Sequence, residues 1–143
     1  MFRNAVAIVA GVVIAFGLMV LIERGTSLIY PLPPNLHYSD TDSARPYLAT
    51  LPAGEYLLIF ASSVVAAFVG TLTACYIGTA QRSLFGGVAG GVVLAYTIAN
   101  FIAIPYPYWL SVATLLGVAG STLLAMRMSP PSTDPEARES DTG

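Results

Sequence analysis

Four apolar stretches of near-membrane length divide the chain, and the residues between them are polar, proline-containing or glycine-containing. The first covers residues 4–24 and carries no charge before Glu23 and Arg24; the others cover 56–77, 84–104 and 109–126. Crossing about 30 Å of hydrocarbon at ~1.5 Å per residue takes about twenty residues, so each stretch predicts one transmembrane helix. A secretory signal peptide would have a shorter apolar core ending in a small-x-small cleavage site. Glu23, Arg24 and Gly25 stand there instead, which predicts a retained helix.

The links predict how these helices meet. Gly78 to Ser83 and Pro105 to Tyr108 are short, and proline cannot continue a helix, so the spans they join must be antiparallel neighbours. The link 25–54 is longer. Ile29-Tyr30-Pro31-Leu32-Pro33-Pro34 reads as extended chain, since each proline fixes its own φ and pushes its predecessor out of the helical region. Asp42 or Ser43 then predicts the cap of a short helix running to Leu51, with Pro46 in its first turn and Pro52 as its stop. Residues 1–128 thus predict an all-α membrane protein, a compact four-transmembrane-helix bundle with a short external helix or cap. Residues 129–143, proline-rich and acidic, predict a disordered cytoplasmic tail.

Small residues recur every fourth position within the apolar stretches: Ala7, Gly11, Ala15; Ser62, Ala66, Gly70, Ala74, Gly78; Gly87, Gly91, Ala95, Ala99, Ala103; and Ala113, Gly117, Ser121, Ala125. Residues four apart share a helix face, and small side chains there let a neighbouring backbone approach closely. In lipid, where water exclusion does not drive helices together, that approach supplies the dispersion contacts. Gly11, Gly70, Gly87, Gly91 and Gly117 are the predicted packing positions.

Composition sharpens this picture. The chain has 143 residues, 55% hydrophobic and only 10% charged, where a soluble domain would be about a quarter charged. All six basic residues are arginines, scattered singly (Arg3, Arg24, Arg45, Arg82, Arg127, Arg138), so no stripe exists to neutralise a run of phosphates and nucleic acid is not an expected partner. Arg3, Arg82 and Arg127 flank one end of the spans against Arg24 and Arg45 at the other, which predicts a plasma-membrane protein with both termini cytoplasmic. Tyr30, Tyr38, Tyr47, Tyr56, Tyr106, Tyr108 and Trp109 gather on the opposite, external side as an aromatic girdle.

Chemistry is sparse. The single cysteine, Cys75, excludes an intrachain disulfide, a CxxC pair and a cysteine-based zinc cluster, and the single histidine, His37, excludes bis-histidine haem within one protomer. His37 with Asp40 and Asp42 has a metal-like spacing but no second imidazole, so no metal and no cofactor is expected. The serines and threonines of the spans have no base beside them and read as packing residues that bond back to their own helix. The polar residues that stand out are Glu23, on the small-residue ridge at the end of span one, and Asn100 with Tyr96 one turn before it in span three. An amide in hydrocarbon seeks a partner on a facing helix and a carboxylate there is costly, so Glu23, Tyr96 and Asn100 predict a polar intramembrane cluster. The competing reading ends span one at Glu23 and Arg24, solvated among headgroups.

Glu23, the Ile29 to Pro34 run, Leu51-Pro52-Ala53-Gly54, Asn100 and Ile104-Pro105-Tyr106-Pro107-Tyr108-Trp109 together resemble a group of small four-span bacterial membrane proteins of unknown function. The resemblance implies a four-span inner-membrane bundle and brings no activity with it. Small multidrug antiporters also have four spans and a glutamate in the first. Their glutamate lies deep in the helix and their loops are short, whereas Glu23 is near one end and a long link follows. Two functional expectations stand. One is a non-enzymatic accessory subunit or packing module that contacts lipid, a second copy or a membrane protein partner. The other is a small homo-oligomeric transporter or channel with Glu23 and Asn100 in its polar path.

Overall fold

A computed structural model of the chain describes residues 2–31, 33–36, 41–78 and 82–129. Among them are five helices and no strand: α1 (Phe2–Ile29), α2 (Thr41–Ala49), α3 (Ala53–Ile77), α4 (Arg82–Ala103) and α5 (Tyr108–Met128). All but α2 are long and apolar enough to cross a membrane. The fold is an all-α bundle with one short helix in its first link. His37, Asp40 and the tail beyond Ser129 lie outside the described residues.

The helix ends follow from local chemistry and shift three predicted boundaries. First, α1 runs through Gly25 to Ile29, so the long link begins five residues later than expected. One glycine costs a helix only about 1 kcal/mol, and beyond it the Thr26 and Ser27 hydroxyls donate back to the Ile22 and Glu23 carbonyls, each at 2.9 Å. Pro31 stops what Gly25 does not. Second, α3 starts at Ala53 behind Pro52, which brings Glu55 into its first turn. Third, α2 ends at Ala49, and Pro46 sits in its second turn. From there the amides of Thr50 and Leu51 bond three residues back, to the carbonyls of Tyr47 and Leu48.

Helix α3 is the centre of the bundle, touching α1, α4 and α5, while α1 and α5 make no contact with each other among the described residues. It runs antiparallel to α1 along its whole length. Arg3 Nε donates to the Ile77 carbonyl at one end, Gly11 meets Gly70 and Ala74 in the middle, and the Tyr30 hydroxyl lies against Gly54 at the other end. Gly86 and Gly90 of α4 face Thr71 of α3, while Gly117 of α5 faces Phe60 and Val64. A core of Ala15, Ala66, Ala67, Val93 and Val118 draws on all four long helices, with Leu18, Met19 and Leu94 packed against it. Larger apolar side chains such as Val13, Leu21, Ile102, Leu116 and Leu123 point outward. That distribution suits lipid, which solvates a leucine as well as a protein core does. The α2 end is termed the cap end below, and the opposite end, with Arg3, Arg82 and Arg127, the arginine end.

Candidate functional site

The residues predicted as an intramembrane cluster are joined by no side-chain hydrogen bond or ring contact among the described residues. Tyr96 packs edge-on against Phe16 of α1, with ring centroids 4.7 Å apart. Asn100 is half-buried one turn closer to the cap end, and its backbone carbonyl accepts the Ile104 amide at 2.9 Å. Glu23 is exposed, and no hydrogen bond joins it to Tyr96 or Asn100 among the described residues. The reason is helical precession. Every step of four residues turns a ridge by about 40°, so Glu23 has rotated about 80° from Ala15, the last buried ridge residue of α1. With α1 continuing to Ile29, Glu23 lies about 9 Å short of the helix end rather than at it.

The small-residue ridges divide the same way. Gly11 and Gly70 form a true backbone crossing: a Cβ on Gly11 would stand 2.6 Å from the Gly70 carbonyl oxygen, and one on Gly70 would stand 2.7 Å from the Gly11 oxygen. Gly117 packs under the Phe60 ring and Val64 of α3, at 2.9 and 2.7 Å from its Cβ position. For α4 the predicted ridge is not the face that packs within the bundle. A Cβ on Gly91 would meet nothing within 4 Å, Gly87 would make only an ordinary 3.4 Å contact with Met126, and Ala95, Ala99 and Ala103 are exposed. The buried face carries Gly86, Ala89, Gly90, Val93 and Thr97. Gly86-Gly87 and Gly90-Gly91 are adjacent pairs, and one residue is about 100° of rotation, so four-residue spacing alone fits both faces equally.

Buried hydroxyls mostly serve their own helix. Thr97 donates to the Val93 carbonyl at 2.8 Å, Ser63 to Ile59 at 3.1 Å and Ser121 to Val118 at 3.0 Å. Thr71 and Thr114 differ: each is fully buried, and its Oγ1 has no partner among the described residues. Thr71 and Thr122 approach Gly90 from two sides, at the meeting point of α3, α4 and α5.

The most distinctive polar residue is one the sequence pattern did not single out. Glu55 is only 7% exposed, and its Oε2 is buried without a hydrogen-bond partner among the described residues. It occupies the first turn of α3, where the positive end of the helix dipole favours a carboxylate. Its backbone amide bonds the Pro52 carbonyl at 2.9 Å. Helix α2 lies over this region. Ala44 and Leu48 are buried, and the Tyr56 hydroxyl donates a short hydrogen bond to the Leu48 carbonyl. Tyr47 of α2 feels Glu55 directly: burial pushes its phenol above the ordinary tyrosine value, and the Glu55 charge pushes it further in the same direction. A residue at the boundary between a polar link and an apolar run looks solvated in sequence. The folded chain buries it, with Tyr47 of α2 near enough to feel its charge.

Beside the cap, an apolar groove of about 530 Å³ runs between α3 and α5, lined by Leu51, Ala53, Tyr56, Leu57, Phe60, Trp109, Leu110 and Ala113. Tyr56 and Trp109 meet edge-on in it at 5.5 Å. Of the aromatic residues predicted as a girdle, Tyr30, Tyr47, Tyr56, Tyr106, Tyr108 and Trp109 stand at the cap end, and Tyr38 lies outside the described residues. Among the described residues no group of three or more His, Cys, Asp or Glu side chains is gathered as a metal centre would require. Comparison with protein-family models, with characterised proteins and with solved structures finds no match to this chain.

Proposed function

We propose that this protein is a non-enzymatic assembly module of a bacterial plasma membrane, which associates with a second copy of itself or with a membrane protein partner through the outward face of α4. One observation carries the reading. Gly91, Ala95, Ala99 and Ala103, spaced by four, are all exposed, and a Cβ on Gly91 would meet nothing within 4 Å, while Ala7, Gly11 and Ala15 of α1 and Ala66, Gly70 and Ala74 of α3 are buried. Lipid gains nothing from such a ridge, whereas a partner helix gains close backbone approach. Its flanks, Val88, Val92, Ile98 and Ile102, supply apolar contacts beside it. The arginine end is read as cytoplasmic on the excess of Arg3, Arg82 and Arg127 over Arg24 and Arg45, and the aromatic cap end as external. The resemblance to small four-span bacterial membrane proteins supports the same placement.

The test is the intact mass of the complex in native-lipid discs, for the wild type and for Gly91→Leu and Ala95→Leu. Since both positions face away from the bundle, these substitutions should leave the fold intact and shift the population to the lone chain. A wild type that is already a lone chain without partner would refute the proposal. A second reading, a small homo-oligomeric transporter or channel, draws on Glu23, which α1 exposes about 9 Å short of its own end. It requires pH-dependent flux in vesicles that Glu23→Gln abolishes while the complex mass is unchanged.

A further inference from the structure

The described carboxylates, Glu23, Asp42 and Glu55, all belong to the cap end, beside Arg24 and Arg45. Two of the three arginines at the arginine end stand beside the last residues of α3, Arg3 by its side chain and Arg82 by its backbone. Arg3 Nε donates to the Ile77 carbonyl at 3.3 Å, so its guanidinium sits at the negative pole of that helix. The next residue, Gly78, lies against the start of α4, with its Cβ position 3.7 Å from Arg82 Cα. Arg82 is half-buried, and its Nε is buried with no hydrogen-bond partner among the described residues.

The geometry points to a phosphate-ester site formed by Arg3 and Arg82 around Ile77 and Gly78, occupied by the headgroup of an anionic phospholipid. The planar guanidinium fork matches phosphate oxygens in a two-point contact. Arg82 also opens a helix of 22 residues, whose first amides and dipole favour an anion at that point. Depth selects the source of the phosphate. Both arginines stand where apolar spans end, which is the level of lipid phosphates, and a basic residue there gains from anionic lipid. Arg127 lies on α5, is exposed and stands outside this pair. The inference is independent of self-association through α4.

The experiment uses the full chain in detergent, titrated with phosphatidylglycerol or phosphatidylcholine, with bound lipid counted by native mass spectrometry. The wild type should retain one phosphatidylglycerol in preference to phosphatidylcholine. Arg82→Gln and Arg3→Gln should each weaken that retention about fivefold, and Arg127→Gln should not. Arg82→Lys keeps the charge and the fold but loses the fork, and should retain less than wild type and more than Arg82→Gln. Equal losses in Arg127→Gln and Arg82→Gln would overturn the site, since a diffuse surface field would explain them. Displacement by millimolar inorganic phosphate, without selectivity between the two lipids, would overturn the lipid assignment in favour of a soluble phosphate ester.

Discussion

The crossing of α1 over α3 allows a quantitative test through a single methyl group. In Gly11→Ala the added Cβ would lie 2.6 Å from the Gly70 carbonyl oxygen and 2.9 Å from Ala74 Cβ. Comfortable heavy-atom contacts are about 3.5–4.0 Å, so the two helices must part by roughly 1 Å at this level. Neither neighbour can rotate away, since one is main chain and the other is a methyl fixed to it. Overpacking of this kind costs ~1–3 kcal/mol, and the better helix propensity of alanine offsets ~1 kcal/mol of it. The expected net loss is about 0–2 kcal/mol. Gly91→Ala is the matched control: nothing lies within 4 Å of its Cβ position, so the propensity gain of up to about 1 kcal/mol is unopposed.

Cys75 supplies the assay without any added label. It is the single thiol of the chain and is fully buried, so maleimide capture in detergent reports opening of the bundle. When reclosing outpaces labelling, the rate follows the open population, and a loss of up to about 2 kcal/mol speeds it by as much as ~30-fold. Gly11→Ala should label faster than wild type by that factor, and Gly91→Ala no faster than wild type. The double variant with Gly70→Ala should cost less than the sum of the two, because both methyls force open the same contact. Equal labelling of Gly11→Ala and Gly91→Ala would refute backbone contact as the basis of the α1–α3 interface.

Two further outcomes follow from the same geometry. Gly90→Ala drives its methyl into the Thr122 side chain and to 2.9 Å from Thr71 Oγ1; the obstruction is a side chain rather than main chain, so Thr122→Ala should restore most of the lost Cys75 protection, and failure to rescue would place the clash elsewhere. The Tyr47 phenol is held above its ordinary value of 10.0, first by burial and then by the Glu55 charge. Its folded-state value is the raised one, so its contribution to holding α2 is complete below the ordinary value and is lost as pH rises through the raised one. Glu55→Gln should bring its titration part of the way back down, read as the ultraviolet difference against Tyr47→Phe. No movement would mean that Glu55 and Tyr47 are electrostatically separate.

These perturbations divide the molecule into a rigid part and an adaptable one. The arginine-end half of α1 is clamped by Ala7, Gly11 and Ala15 against α3, while its cap-end half leaves Val20, Leu21, Leu28 and Ile29 exposed. Contacts between small residues on the clamped side have little slack, since the core consists of alanine and valine and a displaced backbone has no long side chain to follow it. The cap end is held by fewer and more polar attachments, among them the Tyr56 hydroxyl on the Leu48 carbonyl. Association through the α4 ridge would add a partner on the side where the bundle itself supplies none.

Local sequence alone determined where the chain crosses the membrane and how often it turns back. Hydrophobic run length, Pro31, Pro52, Pro105 and Pro107 set those limits, because apolar length against bilayer thickness and the missing proline N–H act on each segment without reference to its neighbours. Gly11 and Gly70 were legible as packing positions too, since each lies on the small face of its helix, whereas their meeting each other was not. Three features were decided only by tertiary structure. Four-residue spacing could not choose between Gly86–Gly90 and Gly87–Gly91, because the choice depends on how α4 rotates to seat against Thr71 and Thr122. Glu23 follows the ridge in sequence yet leaves the interface, because a straight helix precesses away from a fixed neighbour. Glu55 is buried at the start of α3, where the Tyr56 hydroxyl reaches back to the Leu48 carbonyl of α2. Segment length and chain stops are local properties; rotation about a helix axis and burial at a helix start belong to pairs of elements, and so become fixed only when those elements pack.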